Sequence, residues 1–332
     1  MYYRDESMDN TVCCGYCGNM ESSELYPTGS TAGDDFTMNR CLRCGAVFLS
    51  PRPTPQQLRT AYGSSYYGQS NEKFSPPIEK ILDYFRSARA RKVGRFVVPP
   101  AKVLDIGCGN GRFLGHLIKR GFESYGIELP GKAAQRASEI SDLRLKIGQL
   151  SADDFGSDFF DCVCLWHVFE HLTEPQQVLQ IVCKILKRDG FLVMSMPNID
   201  SLQSLIFRGK WLHLDPPRHL FYLGADILTR EMKNIGFELV DIDYFSFEQA
   251  IFGIQQSLLN IFTQKRDVLF EAFKGNKDYI SGYSSLNINL QKLFAFSTVP
   301  FFAILAVVES LLRRGGAMEL VFKKTGGYES SK

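Results

Sequence analysis

The chain has 332 residues, of which 45% are hydrophobic, and this is enough for one large domain or two smaller ones with a sizeable core. Its formal net charge is only +2 and its basic residues are scattered apart from small clusters at 86–95 and 313–314, so we expect no nucleic-acid partner. The N-terminus has no charged start followed by an apolar run, and nine cysteines suit a reducing compartment, so we expect a cytoplasmic protein.

Two matching cysteine pairs lie within the first fifty residues. They are Cys14-Gly15-Tyr16-Cys17-Gly18 and Cys41-Leu42-Arg43-Cys44-Gly45. Each pair directs two thiolates to one point, and four thiolates in a tetrahedron are what structural zinc prefers. The pattern predicts a zinc ribbon over residues 1–50, with Zn²⁺ held by Cys14, Cys17, Cys41 and Cys44 and no position open for catalysis. Unligated thiols are one alternative, and a nucleic-acid-binding ribbon is disfavoured by the acids between the pairs, which are Glu21, Glu24, Asp34 and Asp35.

Residues 51–77 are predicted to form a linker. Pro51-Arg52-Pro53 makes its beginning stiff, because proline fixes φ and disfavours helix in the residue before it. Three tyrosines in the linker, Tyr62, Tyr66 and Tyr67, either cover a ligand pocket or pack the ribbon onto the next domain. Helical periodicity begins at residue 78 and continues to about residue 96.

Five strands alternate with helices after residue 100, near 102–106, 123–128, 143–147, 160–166 and 190–196. Such alternation calls for a parallel sheet with helices on both faces. The helix after the fourth strand is predicted to have Thr173 as its N-cap and Gly190 just past its end. A helix over 224–236 and a strand over 237–242 follow. Residues 247–316 are aromatic and mostly helical, and a strand-like run occupies 318–323.

The first of these strands leads directly into a turn with three alternating glycines, Val103-Leu104-Asp105-Ile106-Gly107-Cys108-Gly109-Asn110-Gly111. Glycine lets the backbone take open dihedral angles and lets a ligand approach the main chain. The helix that begins near Arg112 presents free N–H groups toward such a ligand. The second strand ends in Glu128, an acid that can hold both hydroxyls of a ribose. The pattern predicts a nucleotide-like cofactor on this turn.

At these residues the chain resembles the class I S-adenosylmethionine-dependent methyltransferases, whose first motif is similar to residues 103–113. The resemblance continues in Phe160-Asp161-Cys162-Val163, in His167-Val168-Phe169-Glu170-His171-Leu172 and in Leu186-Lys187-Arg188-Asp189-Gly190-Phe191. It implies an α/β fold over residues 78–332, with a doubly wound, Rossmann-like, seven-stranded sheet. By the same resemblance, strand 318–323 is antiparallel and lies between the fifth and sixth strands, and 247–316 is a helical insertion before it.

The resemblance also implies which residues bind S-adenosylmethionine. They are Asp105, Gly107, Gly109, Gly111, Glu128, Gln149, Leu150 and His167. Gln149 stands where many relatives have an acid. Asp105 has a second role open to it, the capping of its own turn through backbone hydrogen bonds.

Four of the five histidines, His167, His171, His213 and His219, lie where the carboxyl edge of the sheet is predicted. Histidine titrates near neutral pH and is the usual general base. We predict that His219 is the base, with Glu170 and His171 as further catalytic residues. The alternative for Glu170 and His171 is to brace the cofactor loop. Some quinone-biosynthesis relatives bind a divalent metal near this motif, but His167 replaces an acid, so we expect no metal there.

The loop after the fifth strand, residues 211–222, overhangs the edge where open α/β sheets bind their ligands. Asp215 and Arg218 are predicted to orient the acceptor, or to pair with each other and so fix the loop. Trp211, as a wall, and Tyr222 are predicted to contact the acceptor.

Residues 293–312 form an apolar run, followed by Arg313-Arg314. Its length permits a membrane span, but Pro300, Glu309 and the strand that follows disfavour one. Core packing, a homodimer face and peripheral contact with the inner membrane stay open, and membrane contact would fit a lipid-linked acceptor.

These patterns together predict an enzyme. A zinc ribbon joined to such a domain resembles bacterial methyltransferases associated with sugar and polysaccharide pathways. The expected reaction moves a methyl group from S-adenosylmethionine to oxygen or carbon of a small molecule or glycoconjugate, which is a sugar, a polysaccharide or a lipid-linked intermediate. The alternatives are a non-catalytic cofactor-binding or assembly module and an RNA methyltransferase, which the charge pattern disfavours.

Overall fold

The computed structural model describes residues 12–63 and 76–326, except for the side chains of residues 76–78 and 248. Its strands are β1 (Ser22–Gly29), β2 (Asp35–Cys41), β3 (Val47–Ser50), β4 (Lys102–Ile106), β5 (Glu123–Glu128), β6 (Arg144–Ile147), β7 (Phe160–Trp166), β8 (Leu186–Pro197), β9 (Phe221–Tyr222), β10 (Phe237–Asp243) and β11 (Ala317–Lys324). Its helices are α1 (Pro55–Ala61), α2 (Pro76–Val93), α3 (Arg112–Ile118), α4 (Lys132–Ser138), α5 (Pro175–Ile185), α6 (Leu202–Phe207), α7 (Ala225–Asn234), α8 (Phe247–Phe262), α9 (Val268–Phe273), α10 (Lys277–Ile280), α11 (Ser285–Ser297) and α12 (Val299–Leu311).

Seven strands form one sheet in the order β10-β11-β8-β7-β4-β5-β6. The five strands from β8 to β6 in this order are parallel to one another. β11 pairs antiparallel with both β8 and β10, so the last strand lies between the fifth and sixth strands of this sheet. The predicted doubly wound, Rossmann-like fold is confirmed.

Successive residues of the central strands pack into opposite layers, because side chains alternate along a strand. Val103 lies in one apolar cluster with Cys162, whereas Leu104 lies in a second cluster with Val163. Apolar residues on both faces of β4 and β7 therefore require a helical layer on each side. This arrangement leaves only the ends of the strands free to form a ligand site.

Two boundaries predicted around α5 are wrong. The N-cap residue is Glu174 and not Thr173, because Pro175 begins the helix and disfavours helical dihedral angles in the residue before it. β8 already begins at Leu186, so Gly190 lies inside a strand and not past a helix. A Cβ atom on Gly190 would stand 3.1 Å from a carbonyl oxygen of β7, beside an irregularity in the β7–β8 pairing. This glycine therefore allows β7 and β8 to approach each other closely.

The N-terminal strands β1, β2 and β3 form a second, antiparallel sheet, to which β9 adds a fourth strand. Val47 pairs with Tyr222 and Phe48 with Phe221. The first fifty residues therefore share a sheet with a distant part of the chain. The division into a ribbon, a linker and a domain over 78–332 stays a prediction.

Part of the predicted linker is helical. α1 begins with a capping box, in which the Thr54 hydroxyl accepts a hydrogen bond from the Gln57 N–H and the Gln57 side chain accepts one from the Thr54 N–H. Tyr62 follows the helix as its C-cap residue. Tyr66 and Tyr67 lie outside the described residues.

Helices α8 to α12 occupy the segment between β10 and β11, so the predicted helical insertion is confirmed. Ala250, Ile251 and Ile254 of α8 pack against Phe302 and Ala306 of α12. In the part of the chain that the structure describes, no single helix is both long and apolar enough to cross a membrane. α11 and α12 meet that test only together, and they are bent by 56° at their junction.

Candidate functional site

A cavity of about 760 Å³ opens at the carboxyl ends of β4, β5 and β7. Six of the residues predicted to bind the cofactor line it, namely Gly107, Gly109, Glu128, Gln149, Leu150 and His167. The volume lies within the range of ~300–1,000 Å³ that is typical of small-molecule sites. The position is also where open α/β sheets bind ligands.

Glu128 and the glycine-rich turn form one side of this cavity. The carboxylate accepts a hydrogen bond from the Gly109 N–H at 2.6 Å through Oε2 and another from the Leu129 N–H at 3.0 Å through Oε1. Burial raises the pKa of Glu128, and the two N–H groups oppose this rise. Gly109 has a φ of +57°, and no atom stands within 4 Å of the place where its Cβ would be. The main chain is therefore open to a ligand directly beside the carboxylate.

Two residues predicted to bind the cofactor, Asp105 and Gly111, do not line the cavity. A Cβ atom on Gly111 would stand 2.8 Å from Ile140 and 3.2 Å from Ala137, so this glycine permits close packing around the end of α4. Asp105 is only 3% exposed, and its Oδ1 has no hydrogen-bond partner among the described residues. Burial raises the pKa of Asp105 well above its ordinary value. Both residues therefore lie in the packed interior beside the turn and not on the wall of the cavity.

His167 directly follows β7 and takes a left-handed conformation with a φ of +54°, which is uncommon for a residue other than glycine. Its N–H donates to the Ser195 carbonyl at 2.8 Å, and its Nε2 lies 3.2 Å from Ser195 Oγ. Its Nδ1 lies 3.6 Å from Glu170 Oε1. The ring is therefore held between the cavity and a buried carboxylate.

That carboxylate, Glu170, lies behind histidines that line the cavity. It is 2% exposed, and neither of its oxygens has a hydrogen-bond partner among the residues described. Burial alone would raise the pKa of Glu170, but His167, His219 and His171 outweigh burial and lower the pKa to about 2. Glu170 is therefore an anion at neutral pH, and it stabilises positive charge on the imidazole rings around it.

One ring nitrogen of His219 is committed to a structural contact. Nδ1 lies 2.8 Å from the His213 carbonyl oxygen, which can only accept, so Nδ1 carries the proton of the neutral ring. Nε2 then carries the lone pair, 3.8 Å from Glu170 Oε1 and 3.9 Å from Asp215 Oδ2. A proton that reaches Nε2 is therefore stabilised by two carboxylates.

His171 lies against His219, with 4.5 Å between the ring centroids. Its Nδ1 donates to the Arg218 carbonyl at 2.9 Å, and the Tyr62 hydroxyl lies 2.9 Å from the same nitrogen. Ligand atoms of Glu170, His171 and His219 lie within 4.8 Å of one another, so this group has a geometry that could hold a metal ion. A metal there would need the Nε2 lone pair of His219, because Nδ1 of that ring donates to the His213 carbonyl.

Asp215 and Arg218 pair with each other, which is one of their two predicted roles. Arg218 Nε donates to Asp215 Oδ2 at 2.8 Å, and Nη2 contacts Asp215 Oδ1. Burial would raise the pKa of Asp215, but Arg218 outweighs burial and keeps the pKa below its ordinary value. Arg218 Nη1 also donates to the Ala61 carbonyl at 3.1 Å. The pair lines the cavity and fixes the loop that carries His219.

Trp211 and Tyr222 do not line the cavity, contrary to the predicted contact with an acceptor. Trp211 is fully buried against Phe36 and Met38 of the N-terminal sheet. The Tyr222 hydroxyl donates to the Leu214 carbonyl at 2.6 Å. Tyr222 forms part of the apolar face of the N-terminal sheet, and Trp211 packs in the same apolar cluster. No local pattern in residues 211–222 distinguishes these roles from a role in the site.

The sequence patterns did not predict one side of the cavity, which residues of the helical insertion form. Five phenylalanines from α8, α9 and α11 line this side, namely Phe247, Phe252, Phe270, Phe273 and Phe296. Thr31 and Tyr62 line the cavity from the N-terminal part of the chain. The aromatic density of residues 247–316 was the only signal for this wall. An aromatic wall excludes water and fits an apolar portion of a ligand.

The four cysteines predicted to bind zinc come together. Cys14 Sγ lies 3.7 Å from Cys44 Sγ, and Cys17 Sγ lies 3.6 Å from Cys41 Sγ. All four sulfur atoms are within 4.8 Å of one another. A disulfide would need about 2.05 Å, whereas two thiolates at ~2.3 Å from one tetrahedral zinc ion stand roughly 3.8 Å apart. The arrangement fits a zinc ion and not a pair of disulfides.

Acidification is expected to destabilise the protein through His213. Its Nε2 donates to the Gln249 carbonyl at 3.2 Å, and burial lowers its pKa from 6.5 to about 4. Between these two values the unfolded chain binds a proton that the folded chain does not, so stability falls as pH falls from about 6.5 toward 4. We expect a loss of roughly 2 kcal/mol from this residue at pH 5, which is a few degrees in Tm.

The check is Tm between pH 7 and pH 5 for the wild type and for His213→Gln, whose amide keeps the donor to Gln249. The fall in Tm should be smaller in His213→Gln. His116→Gln, at a histidine paired with Asp83 and outside the cavity, serves as the control. Equal pH dependence of His213→Gln and the wild type would contradict the assignment.

Comparisons with known proteins concern the family of the chain. A family model described as a methyltransferase domain matches residues 77–242, which is half of the chain. The chain is 31% identical over 127 residues to a ubiquinone biosynthesis O-methyltransferase of Actinobacillus pleuropneumoniae serotype 7, covering 35% of this chain and 52% of that protein. It is also 31% identical over 107 residues to a protein of the same name from Glaesserella parasuis serovar 5, covering 29% and 45%.

The chain therefore spans about half the length of the curated relatives it matches. Among solved structures, it is similar to a SAM-dependent methyltransferase from Archaeoglobus fulgidus. The sequence identity is 20%, the TM-score is 0.45, and the match covers 73% of this chain and 94% of that one.

Proposed function

The chain belongs to the class I S-adenosylmethionine-dependent methyltransferases, and from that membership we propose that it transfers a methyl group from S-adenosylmethionine to an oxygen or carbon atom of a small molecule. One observation carries the proposal. The open main chain at Gly109 beside Glu128, and the histidines around Glu170, line a single cavity.

The residues present fit the donor. Glu128 has a buried carboxylate that can accept hydrogen bonds from ribose hydroxyls, and Gly109 leaves the adjacent main chain uncovered. Gln149 and Leu150, which follow β6, line the same cavity and are proposed to flank the adenine. When bound, S-adenosylmethionine supplies an electrophilic methyl group on a positively charged sulfur.

His219 is proposed to accept the proton of the acceptor on Nε2. Its Nδ1–H bond to the His213 carbonyl fixes the tautomer, and Glu170 and Asp215 stabilise the imidazolium that forms. Asp215 and Arg218 hold the loop in place, and His171 packs against the base. Such a positioned base typically contributes ~10²–10⁴-fold to a rate.

The acceptor is proposed to be a small molecule or glycoconjugate, such as a sugar or a lipid-linked intermediate, with an apolar portion. The phenylalanine wall supports the apolar portion. The curated relatives act, by their names, in ubiquinone biosynthesis, which supports a small-molecule acceptor and not a nucleic acid. A location in the cytoplasm, peripheral to the inner membrane, stays a prediction.

The test is incubation of the purified chain with S-adenosylmethionine and panels of nucleotide sugars, phenolic small molecules and lipid-linked intermediates. We expect one of them to gain the mass of one methyl group, and we expect His219→Asn to form this product at least about 100-fold more slowly than the wild type. Steep, salt-dependent binding to RNA with methyl incorporation into RNA would favour an RNA substrate. Tight binding of S-adenosylmethionine without methyl transfer to any compound in these panels would favour a non-catalytic module.

For the cysteine cluster we propose a structural zinc ion bound by Cys14, Cys17, Cys41 and Cys44. The sulfur separations fit a tetrahedral ion. Four thiolates leave no coordination position open for a substrate, so we assign this site no part in methyl transfer.

Zinc removal is expected to destabilise the N-terminal sheet. Metal analysis of the purified wild type should find about one zinc per chain, and Cys41→Ser should lose most of it and unfold several degrees lower, because structural zinc binding is coupled to folding. Cys13→Ser changes the neighbouring cysteine that lies outside the cluster, and it should keep both the metal and the Tm. Equal zinc content in Cys41→Ser and the wild type would contradict the ligand set.

A further inference from the structure

Helix α12 is apolar on its outer side as well as on its buried side. Its buried side carries Phe302 and Ala306 together with Glu309, which is 6% exposed and accepts a hydrogen bond from Gln203 Nε2 at 2.8 Å. Its outer side carries Phe301, Ile304 and Leu311, which are 59%, 65% and 79% exposed. A surface helix in water instead carries polar residues on its outer side. An apolar medium is therefore the environment for which this outer face is suited.

Exposed apolar side chains also occur on α11, which directly precedes α12. Leu290, Leu293 and Phe296 are 55%, 63% and 68% exposed. We define the apolar face as these residues together with the exposed residues of α12, which are Phe301, Ile304, Leu305, Val307, Val308 and Leu311. We propose that this face docks the protein on the surface of an anionic lipid bilayer.

The exposed charges of the insertion are mostly positive, which favours an anionic partner. Exposed charged side chains described in this segment are the basic residues Lys265, Lys277, Arg313 and Arg314 and the acidic residue Asp278. Three other acids, Asp267, Glu271 and Glu309, are buried. Arg313 and Arg314 directly follow the apolar face, and both are exposed, while Arg314 Nη1 also donates to the Asp200 carbonyl at 2.7 Å. Long basic side chains at such a position can reach lipid headgroups.

The geometry favours lying in the membrane interface over crossing the membrane. α11 and α12 have 13 residues each and meet at an angle of 56°. A helix of that length is about 20 Å long, whereas a hydrocarbon core is ~30 Å thick. Two short helices that present one apolar side and adjacent basic residues match the pattern of interfacial helices.

The apolar face also meets the cavity. Phe296 is part of the face and lines the cavity, and Ala295 and Val299 line the cavity beside it. The apolar tail of a lipid-linked acceptor could therefore pass from the bilayer along these residues without entering water. This last step rests on the proposed methyl transfer, whereas the docking itself does not.

The experiment is sedimentation of the full chain with vesicles of pure phosphatidylcholine and with vesicles that contain about one third phosphatidylglycerol. The wild type should sediment with the anionic vesicles, and less so at high salt. The double variant Ile304→Glu, Leu311→Glu should sediment at least about tenfold less, because each glutamate opposes insertion of the face. A matched control, Met20→Glu with Val98→Glu, changes two exposed apolar residues elsewhere and should bind like the wild type.

Equal Tm and equal S-adenosylmethionine affinity of both double variants and the wild type show that the folds are intact. A wild type that stays in the supernatant with both lipid mixtures would overturn the proposal. So would a wild-type dimer in analytical ultracentrifugation that only Ile304→Glu, Leu311→Glu dissociates, without any vesicle binding. Glu128→Ala, which is expected to lose affinity for S-adenosylmethionine, should still bind vesicles. Failure of the proposed donor site and failure of the proposed docking therefore give different results.

Discussion

Replacing His219 by asparagine is expected to lower kcat by about 10²–10⁴-fold. The asparagine side chain keeps an N–H donor for the His213 carbonyl, which His219 Nδ1 contacts at 2.8 Å in the wild type, so the loop should keep its conformation. The lone pair of Nε2, which lies near Glu170 and Asp215, is lost. Release of S-adenosylhomocysteine, measured over a range of acceptor concentrations, gives kcat and KM separately.

The matched control is His116→Asn. His116 is on α3, its Nε2 lies 3.1 Å from Asp83 Oδ1, and it does not line the cavity. Its kcat should equal that of the wild type. A His219→Asn variant that keeps more than about a third of the wild-type kcat would show that His219 is not the base, since loss of a general base costs far more.

Replacing Glu128 by alanine is expected to weaken S-adenosylmethionine binding by about 100-fold. Hydrogen bonds to a charged group contribute ~1.5–3 kcal/mol each, and the loss of the proposed ribose contacts therefore costs about 3 kcal/mol, or roughly two powers of ten in Kd. The variant also leaves the Gly109 and Leu129 N–H groups without their acceptor. Calorimetric titration with the donor measures the change.

Glu128→Gln distinguishes the loss of charge from collapse of the turn, because its amide oxygen can still accept from Gly109. We expect a smaller loss, of roughly tenfold. The control is Glu123→Ala at the other end of β5, where the carboxylate is partly exposed and pairs with Arg144. Donor affinity of Glu128→Ala equal to that of Glu123→Ala would remove Glu128 from the donor site.

The sequence was sufficient to predict those parts of the fold and of the site that depend on local patterns. The strands over 102–106, 123–128 and 160–166 have the predicted bounds. The first and third are mostly apolar runs that end at turn residues, and the second is bounded by Gly121 before it and Pro130 after it. The Gly109 turn beside Glu128 and the four cysteines follow from short spacings in the same way. The place of the last strand between β8 and β10 came from the family resemblance.

Contacts between distant segments could not be derived in this way. Tyr222 of β9 joins the N-terminal sheet and Trp211 packs beside it in one apolar cluster, and no periodicity within 211–222 encodes this pairing. The phenylalanine wall depends on how α8, α9 and α11 fold over the ends of the strands. The error at Gly190 has a similar cause, since a glycine required by a neighbouring strand looks in sequence like a helix end.

A crystal structure of the zinc-loaded protein with S-adenosylhomocysteine tests the central claim most directly. The predicted result is a ligand whose ribose hydroxyls lie within about 3 Å of the Glu128 carboxylate oxygens, with its sulfur directed toward His219 and the phenylalanine wall. A ligand bound elsewhere, or a cavity that stays empty at saturating ligand concentration, would contradict the assignment of this cavity to methyl transfer.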